Sequence, residues 1–267
     1  MLIFLTSFPV AAKSDETPLE PSSGWKLNYS KASCELSRNF GTEENEILFA
    51  IVQGPKFGSS ELILITPQIG IKGIYSKADL LLSNGTKLDR RHTRIYPGSQ
   101  EGKSIWRVFN VNTSFMNNGK QGDILTIDSD KASTVALRVG DLSPPAKALE
   151  KCQRDLFQTM GMNYDQLASL KQFPKPKGNS GRWVMATDYP KAAYKERREG
   201  KTQFRLDVDQ NGKVENCAIL VSSGHADLDR ETCRKAVSRA RFSPALDENN
   251  QPTAAPWVSA ARWQVPR

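Results

Sequence analysis

Between Trp25 and Val139 the chain confines its apolar residues to short runs broken by turn dipeptides, and this pattern limits the fold more than any other feature. The runs are Trp25 to Tyr29, Ile47 to Val52, Leu62 to Ile65, Ala78 to Leu82, Ile105 to Val111, Ile124 to Ile127 and Val135 to Val139. Gly54-Pro55, Asn84-Gly85, Pro97-Gly98 and Asn117-Asn118-Gly119 fall between them, and each favours a reversal of the chain. Runs of this length suit strands and are too short for core helices. The expectation is an antiparallel β-sandwich or barrel over residues 25–170. Arg90-Arg91-His92 reads only as a charged turn in that frame.

A helix closes this region. Ser143 is placed to cap it, Pro144 suits its first position, and Ala146, Leu149, Cys152, Leu156 and Phe157 recur at helical spacing before Gly161. Cys152 thereby falls on the buried face, and Cys34 lies in the strand-like stretch Ser33 to Phe40. Four cysteines allow three pairings. Domain organisation selects Cys34 with Cys152, which would tie the helix to the sheet for about 4–5 kcal/mol of loop entropy, and Cys217 with Cys233, a shorter loop worth about 3 kcal/mol. An even number of cysteines in an exported chain points to disulfides, because oxidised thiols persist there and no CxxC or Cys/His cluster offers a metal site.

Phe173 to Arg182 reads Phe-Pro-Lys-Pro-Lys-Gly-Asn-Ser-Gly-Arg, with little to bury, and is taken as a linker over 173–182. Beyond it, Asp188-Tyr189-Pro190 opens a helical stretch from Lys191 to Arg198 that Gly200 ends. Phe204 to Asp209 alternates as a half-buried strand, Asn211-Gly212 turns the chain, and Lys213 to Val221 returns. A second helix carries Cys233, Ala236, Val237 and Ala240 on one stripe behind Asp229, and a last strand runs from Trp257 to Gln264. The fold class is therefore α+β. An N-terminal β-rich domain with a terminal helix precedes a small domain at 183–267, a three-stranded antiparallel sheet with two helices.

Tyr189-Pro190, Val208-Asp209 leading to Gly212, Ser222-Ser223-Gly224, Leu228-Asp229, and Phe242 with Pro244-Ala245 occur in one order along this second domain. In these residues the segment resembles the TonB C-terminal domain family, from Tyr189 to Pro266; no resemblance is recognised for the first domain. The resemblance implies a periplasmic module that takes an extended segment of an outer-membrane TonB-dependent receptor as an added strand, in support of energy-coupled transport. The receiving edge maps to Trp257, Val258, Ser259, Ala260, Ala261, Arg262 and Trp263. Strand alternation puts Trp257, Ser259, Ala261 and Trp263 on one face, with the tryptophans on the core, and Val258, Ala260 and Arg262 on the other.

Full-length energy transducers of the family also have an inner-membrane anchor and a long Pro-rich spacer. Here a ten-residue linker reaches about 35 Å at most, and an anchor enters only if the true start lies upstream. The uncharged run Met1 to Ala12, ending Val10-Ala11-Ala12, reads as a signal segment cleaved after Ala12. The alternative to receptor binding is a structural envelope protein that uses the second domain to form a homodimer or scaffold.

Of the formal net charge of +8, all but one unit resides in residues 151–267, which hold 20 Lys+Arg against 13 Asp+Glu. These charges are interleaved, which argues against a nucleic-acid partner. Catalysis finds little support. The histidines are His92 and His225, and although a Ser, His225 and Asp227 lie close in sequence, neither Gly-x-Ser-x-Gly nor a phosphate-binding glycine loop is present. No cofactor, metal ligand or catalytic residue is assigned.

Overall fold

The structure, a computed structural model, describes residues 17–68, 73–99, 102–120 and 122–265. The expected signal segment and its cleavage bond lie outside them.

Nine strands form the N-terminal unit: β1 (Lys26–Tyr29), β2 (Cys34–Phe40), β3 (Ile47–Gln53), β4 (Ser60–Pro67), β5 (Ile74–Leu82), β6 (Lys87–Pro97), β7 (Lys103–Val111), β8 (Ile124–Ser129) and β9 (Thr134–Arg138). They make one antiparallel sheet in the order β1-β2-β3-β4-β7-β6-β5-β8-β9. Of the two architectures expected, the sheet adopts the barrel-like one: it curls into a half-barrel around its own core instead of splitting into two packed layers. Every second residue of β4, β8 and β9 is buried, and Leu36, Ile51, Leu62, Leu80, Ile95 and Trp106 fill the interior.

The segment ahead of β1 stitches the two ends of this sheet together. Leu19 bridges to Leu137 of β9, and two residues later Pro21 bridges to Phe40 of β2. The amides of Leu19, Ser22, Gly41 and Arg138 all bond across these junctions at 2.8–3.0 Å. Backbone groups that an open sheet would expose are thus paired. Strand β6 corrects the expected charged turn at Arg90-Arg91-His92. It buries Thr93 and Ile95 and leaves His92 and Arg94 outside, where the Arg94 guanidinium lies over the rings of Tyr75 and Tyr96.

Helix α1 (Ser143–Thr159) packs Leu149, Cys152, Leu156 and Phe157 against β2 and the 3-10 turn Thr113–Asn118. Ser143 is its first residue and not its cap; the Asp141 carboxylate accepts from the Ser143 amide at 2.8 Å. Gly161, at φ +66°, ends the run. A short helix, α2 (Tyr164–Ser169), follows, capped by Asn163. Cys34 and Cys152 are joined by a disulfide that fixes α1 to β2.

The Pro/Lys segment does not hang free. Its strand β10 (Lys175–Pro176) pairs with β13 (Phe242–Ser243), the Lys177 amide bonds to the Arg241 carbonyl at 2.8 Å, and Phe173 stacks on Phe57 of the first unit. The remaining elements are α3 (Lys191–Lys195), β11 (Gly200–Val208), β12 (Val214–Val221), α4 (Ala226–Arg239), β14 (Ala245–Leu246), β15 (Pro252–Thr253) and β16 (Ala255–Trp263). Helix α3 stops short of the expected Arg198 because Arg197 turns to φ +53°. The three-stranded sheet has the order β12-β11-β16. Helix α4 covers one face, held to β12 by the Cys217–Cys233 disulfide.

The other face meets the N-terminal unit. Leu220 and Val258 pack on the first core, the Arg205 guanidinium donates to the carbonyls of Met160 and Gly161, and Gln166 Nε2 donates to the Ala254 carbonyl at 3.1 Å.

Candidate functional site

A three-stranded sheet covered on both faces can recruit a further chain only at its margins. Strand β11 is central and pairs with β16 through nine consecutive residues without a shift, from Val208↔Ala255 to Gly200↔Trp263. Among the described residues, no strand pairs with the opposite margin of β16. That margin carries main-chain N–H and C=O groups able to receive an extended segment.

Both ends of β16 are anchored by the aromatic side chains that point inward. Trp257 sits edge-on to Trp183 and Phe242, with ring centroids 5.0 and 5.3 Å away. Trp263 donates from Nε1 to Thr232 Oγ1 at 2.9 Å and packs edge-on against Tyr189. Ala261 is buried between them, and Ser259 is half-buried on the same face. On the other face Ala260 and Arg262 are exposed, whereas Val258 packs toward the N-terminal unit. The face assignment read from alternation holds: Trp257, Ala261 and Trp263 are packed on the inner face, while among the described residues no strand pairs with the outer margin.

The sequence motifs gain physical content as the supports of this ledge. Gly212, at φ +80°, is forced: a Cβ there would come within 2.0 Å of the Phe242 carbonyl oxygen, and the Phe242 amide bonds to the Gly212 carbonyl at 3.0 Å. This contact seats Phe242 beneath Trp257. Gly200 likewise touches Ser223, whose carbonyl would lie 2.4 Å from an added Cβ. Asp229 lies in the first turn of α4 and accepts from Thr202 Oγ1 at 2.8 Å, the Ser223 amide at 2.9 Å and Ser222 Oγ. Burial pushes its carboxyl up, and the bonds from Ser222, Ser223 and Thr202 outweigh it, so the group is held below the ordinary aspartate range. The Ser-Ser-Gly and Leu-Asp motifs are therefore two halves of one junction among β11, β12 and α4.

Asp188 anchors the segment ahead of α3. Its side chain is 3% exposed and is gripped by Arg239 and by Lys235 Nζ at 2.6 Å. The Arg239 guanidinium foremost, with Lys235 and the Met185 amide, holds the carboxyl far below the usual carboxylate range despite its burial.

The residues considered for catalysis each have a structural partner or position. Asp227 pairs with Arg198 at 2.8 Å, Ser222 serves Asp229, and His225 occupies the N-cap position of α4. Among the described residues, no group of three or more His, Cys, Asp or Glu side chains could hold a metal ion. Likewise no helix is long and apolar enough to cross a membrane.

Two contributors to the surroundings of β16 carried no usable sequence signal. Phe57 looks like a loop aromatic, yet it contacts Phe157, Tyr164 and Phe173. Arg205 looks like an exposed strand position, yet it bridges the two units.

Residues 185–262 match the family described as Gram-negative bacterial TonB protein C-terminal. No curated protein matches the chain. The match spans α3, the whole β12-β11-β16 sheet up to Arg262, and α4; the N-terminal unit lies outside it. Domains of this family are non-enzymatic, transport-related modules of the cell envelope that interact with outer-membrane receptors in general. Two disulfides accord with an oxidising compartment.

Proposed function

We propose that this protein acts in the periplasm by taking an extended segment of an outer-membrane TonB-dependent receptor as a fourth strand along β16, in support of energy-coupled transport. The observation that supports this reading is the outer margin of β16, inside the matched segment, with which no strand pairs among the described residues. Its Trp257 and Trp263 anchors pre-organise the ledge, so a guest need order only its own chain. The partner contributes main-chain hydrogen bonds for affinity, and its alternate side chains select it. The protein itself performs no chemistry in this scheme.

Titrating the isotope-labelled full chain with synthetic peptides from the periplasmic N-terminal segments of such receptors tests the proposal. Amide shifts and slowed hydrogen exchange along Trp257 to Trp263 are the expected result. The proposal is rejected if no peptide moves those amides. A concentration-dependent dimer formed through β16 without any peptide would favour a scaffolding role instead.

A further inference from the structure

At the start of β16 the two units enclose a cavity of about 350 Å3. One wall is the 55–57 loop of the N-terminal unit with Met162 and Leu167, the other is the strap Phe173–Pro176, and Pro256–Val258 form the back. The strap contacts lie toward the Trp183–Phe242 side of the sheet, and Met162 and Leu167 belong to the core on its opposite side. No residue of β11 or β12 lines the space. A cavity bounded from both faces of a sheet, with only the edge strand at its back, lies off the margin of that strand. It therefore opens where one end of an added strand would lie.

The lining is apolar and aromatic, with Phe57, Phe173 and Trp257 around it. Its volume is near the bottom of the range for small-molecule pockets, about 300–1,000 Å3, which suits one bulky side chain. Aromatic groups meet such a lining edge-on or offset, gaining more than their buried area alone provides. Two cations, Lys56 and Lys175, also line the cavity, both exposed and neither in an ion pair among the described residues. At the opposite end of β16, Lys201 and Arg262 are exposed and unpaired in the same sense, while nearby Glu199 is occupied by the Val265 amide at 2.9 Å. The margin thus runs between two pairs of free positive charges about 17 Å apart, from the strand rise over five residues.

We propose that this cavity is a socket for one aromatic side chain of the guest strand, that a carboxylate beside that residue meets Lys56 and Lys175, and that the N-terminal unit thereby selects which segments β16 accepts. The inference rests on strand addition at β16 and deepens it. Its occupant is an extended, acidic-flanked segment with an aromatic residue at the end lying against Pro256–Val258. The N-terminal unit then acts as the selective half of a composite site whose other half supplies the backbone ladder.

The test uses the full chain and a ten-residue peptide of alternating Thr and Val with Glu-Phe at one end, prepared with that pair at either terminus. Comparators replace the Phe by Ala or the Glu by Gln. With the wild-type chain, the Phe peptide of the productive polarity is expected to bind at least about tenfold more tightly than its Ala counterpart, roughly 1.4 kcal/mol. In Phe57→Ala that advantage should fall below about threefold, with the Ala peptide unaffected. The exposed double variant Lys56→Glu/Lys175→Glu guards against a folding defect in Phe57→Ala. It should weaken the Glu peptide and spare the Gln peptide, and added salt should mimic it. Equal binding of the Phe and Ala peptides to the wild-type chain, or equal weakening of both by Phe57→Ala, overturns the socket while β16 amide shifts leave strand addition standing. If no peptide shifts those amides, both readings fall.

Discussion

If a guest lies along β16 as a strand, chemical damage to its backbone must be felt with a period of two. The margin from Trp257 to Trp263 spans seven residues, and alternate residues direct their N–H and C=O groups outward, so about three or four of them can form about six to eight hydrogen bonds. Each is worth a net 0.5–1.5 kcal/mol or so, set against an association cost of at least about 4 kcal/mol. Binding is therefore weak enough for one bond to matter. N-methylation of one guest amide removes a donor, leaves a β16 carbonyl without a partner and wedges a methyl group between the strands. At positions facing β16 this should cost about 1.5 kcal/mol or more, above tenfold in affinity. At the intervening positions the methyl group points away, and binding should change by less than about twofold. Anisotropy of a labelled seven-residue receptor peptide, methylated at one position at a time, against the full chain measures this directly. A loss that is uniform along the peptide, or confined to one side chain without regard to parity, would refute backbone pairing as the mode of recognition.

Replacing Cys217 and Cys233 by Ser opens a loop with a sequence separation of 16 and should cost about 3 kcal/mol, read as a lowered urea midpoint; a loss under about 0.5 kcal/mol would contradict the entropy argument. Asp188→Asn leaves Arg239 and Lys235 without their acceptor charge and should destabilise by about 2 kcal/mol, since bonds to charged groups are worth roughly 1.5–3 kcal/mol. The wild-type pH dependence has a definite sign: Arg239 above all holds the Asp188 pKa below its unfolded value, so its stabilisation is complete above about pH 4 and is lost as the pH falls below that. An Asp188→Asn chain should show a shallower acid limb in its unfolding midpoint, and an unchanged limb would exclude the ion cluster as its cause. Gly212→Ala should cost well over 1 kcal/mol, because the left-handed φ and the Phe242 carbonyl both exclude a methyl group; near-neutral unfolding free energy would mean the turn can move.

The strands that were legible in the sequence are those whose inward residues are aliphatic, such as Ile47 to Val52 and Ile124 to Ile127. Strand β6 was not, because its inward positions include Thr93 and its outward ones are Arg90, His92 and Arg94, so neither apolar density nor clean alternation marks it. The stitching of the sheet by Leu19 to Ser22 was illegible for a different reason. It depends on a bridge to Phe40 of β2 and on another to Leu137 of β9, more than a hundred residues away, and four residues carry no pattern of that kind. The second unit was readable from Gly212, Ser222-Ser223-Gly224 and Asp229, since each of those residues is fixed by a close approach or a specific acceptor that few substitutes could satisfy. The route of Phe173 to Pro176 was not readable, because its partners, Phe57 and Phe242, come from two different units.

Under the proposed strand addition, the preference for β16 over β12 as the receiving margin rests on the register of the two ladders. Between β11 and β12 the pairing slips twice, once at Gln203/Phe204 and once at Asp207/Val208, and in each case the extra residue is on β12: Leu220 and Glu215. Bulges bend and twist the strand that carries them and interrupt the even spacing of donors and acceptors that a guest must match. The first bulge also turns Leu220 onto the core of the N-terminal unit, tying β12 down where a guest would need room. Strand β16 has no slip across its nine pairs, and small residues, Ser259, Ala260 and Ala261, occupy its middle. A guest added to β16 as proposed would find regular spacing and small side chains at the middle of the strand, and the end of it beside Pro256–Val258 would reach the cavity beside Phe57. On the proposed reading, the bulges disfavour one margin of the sheet for an added strand, and the uninterrupted ladder favours the other.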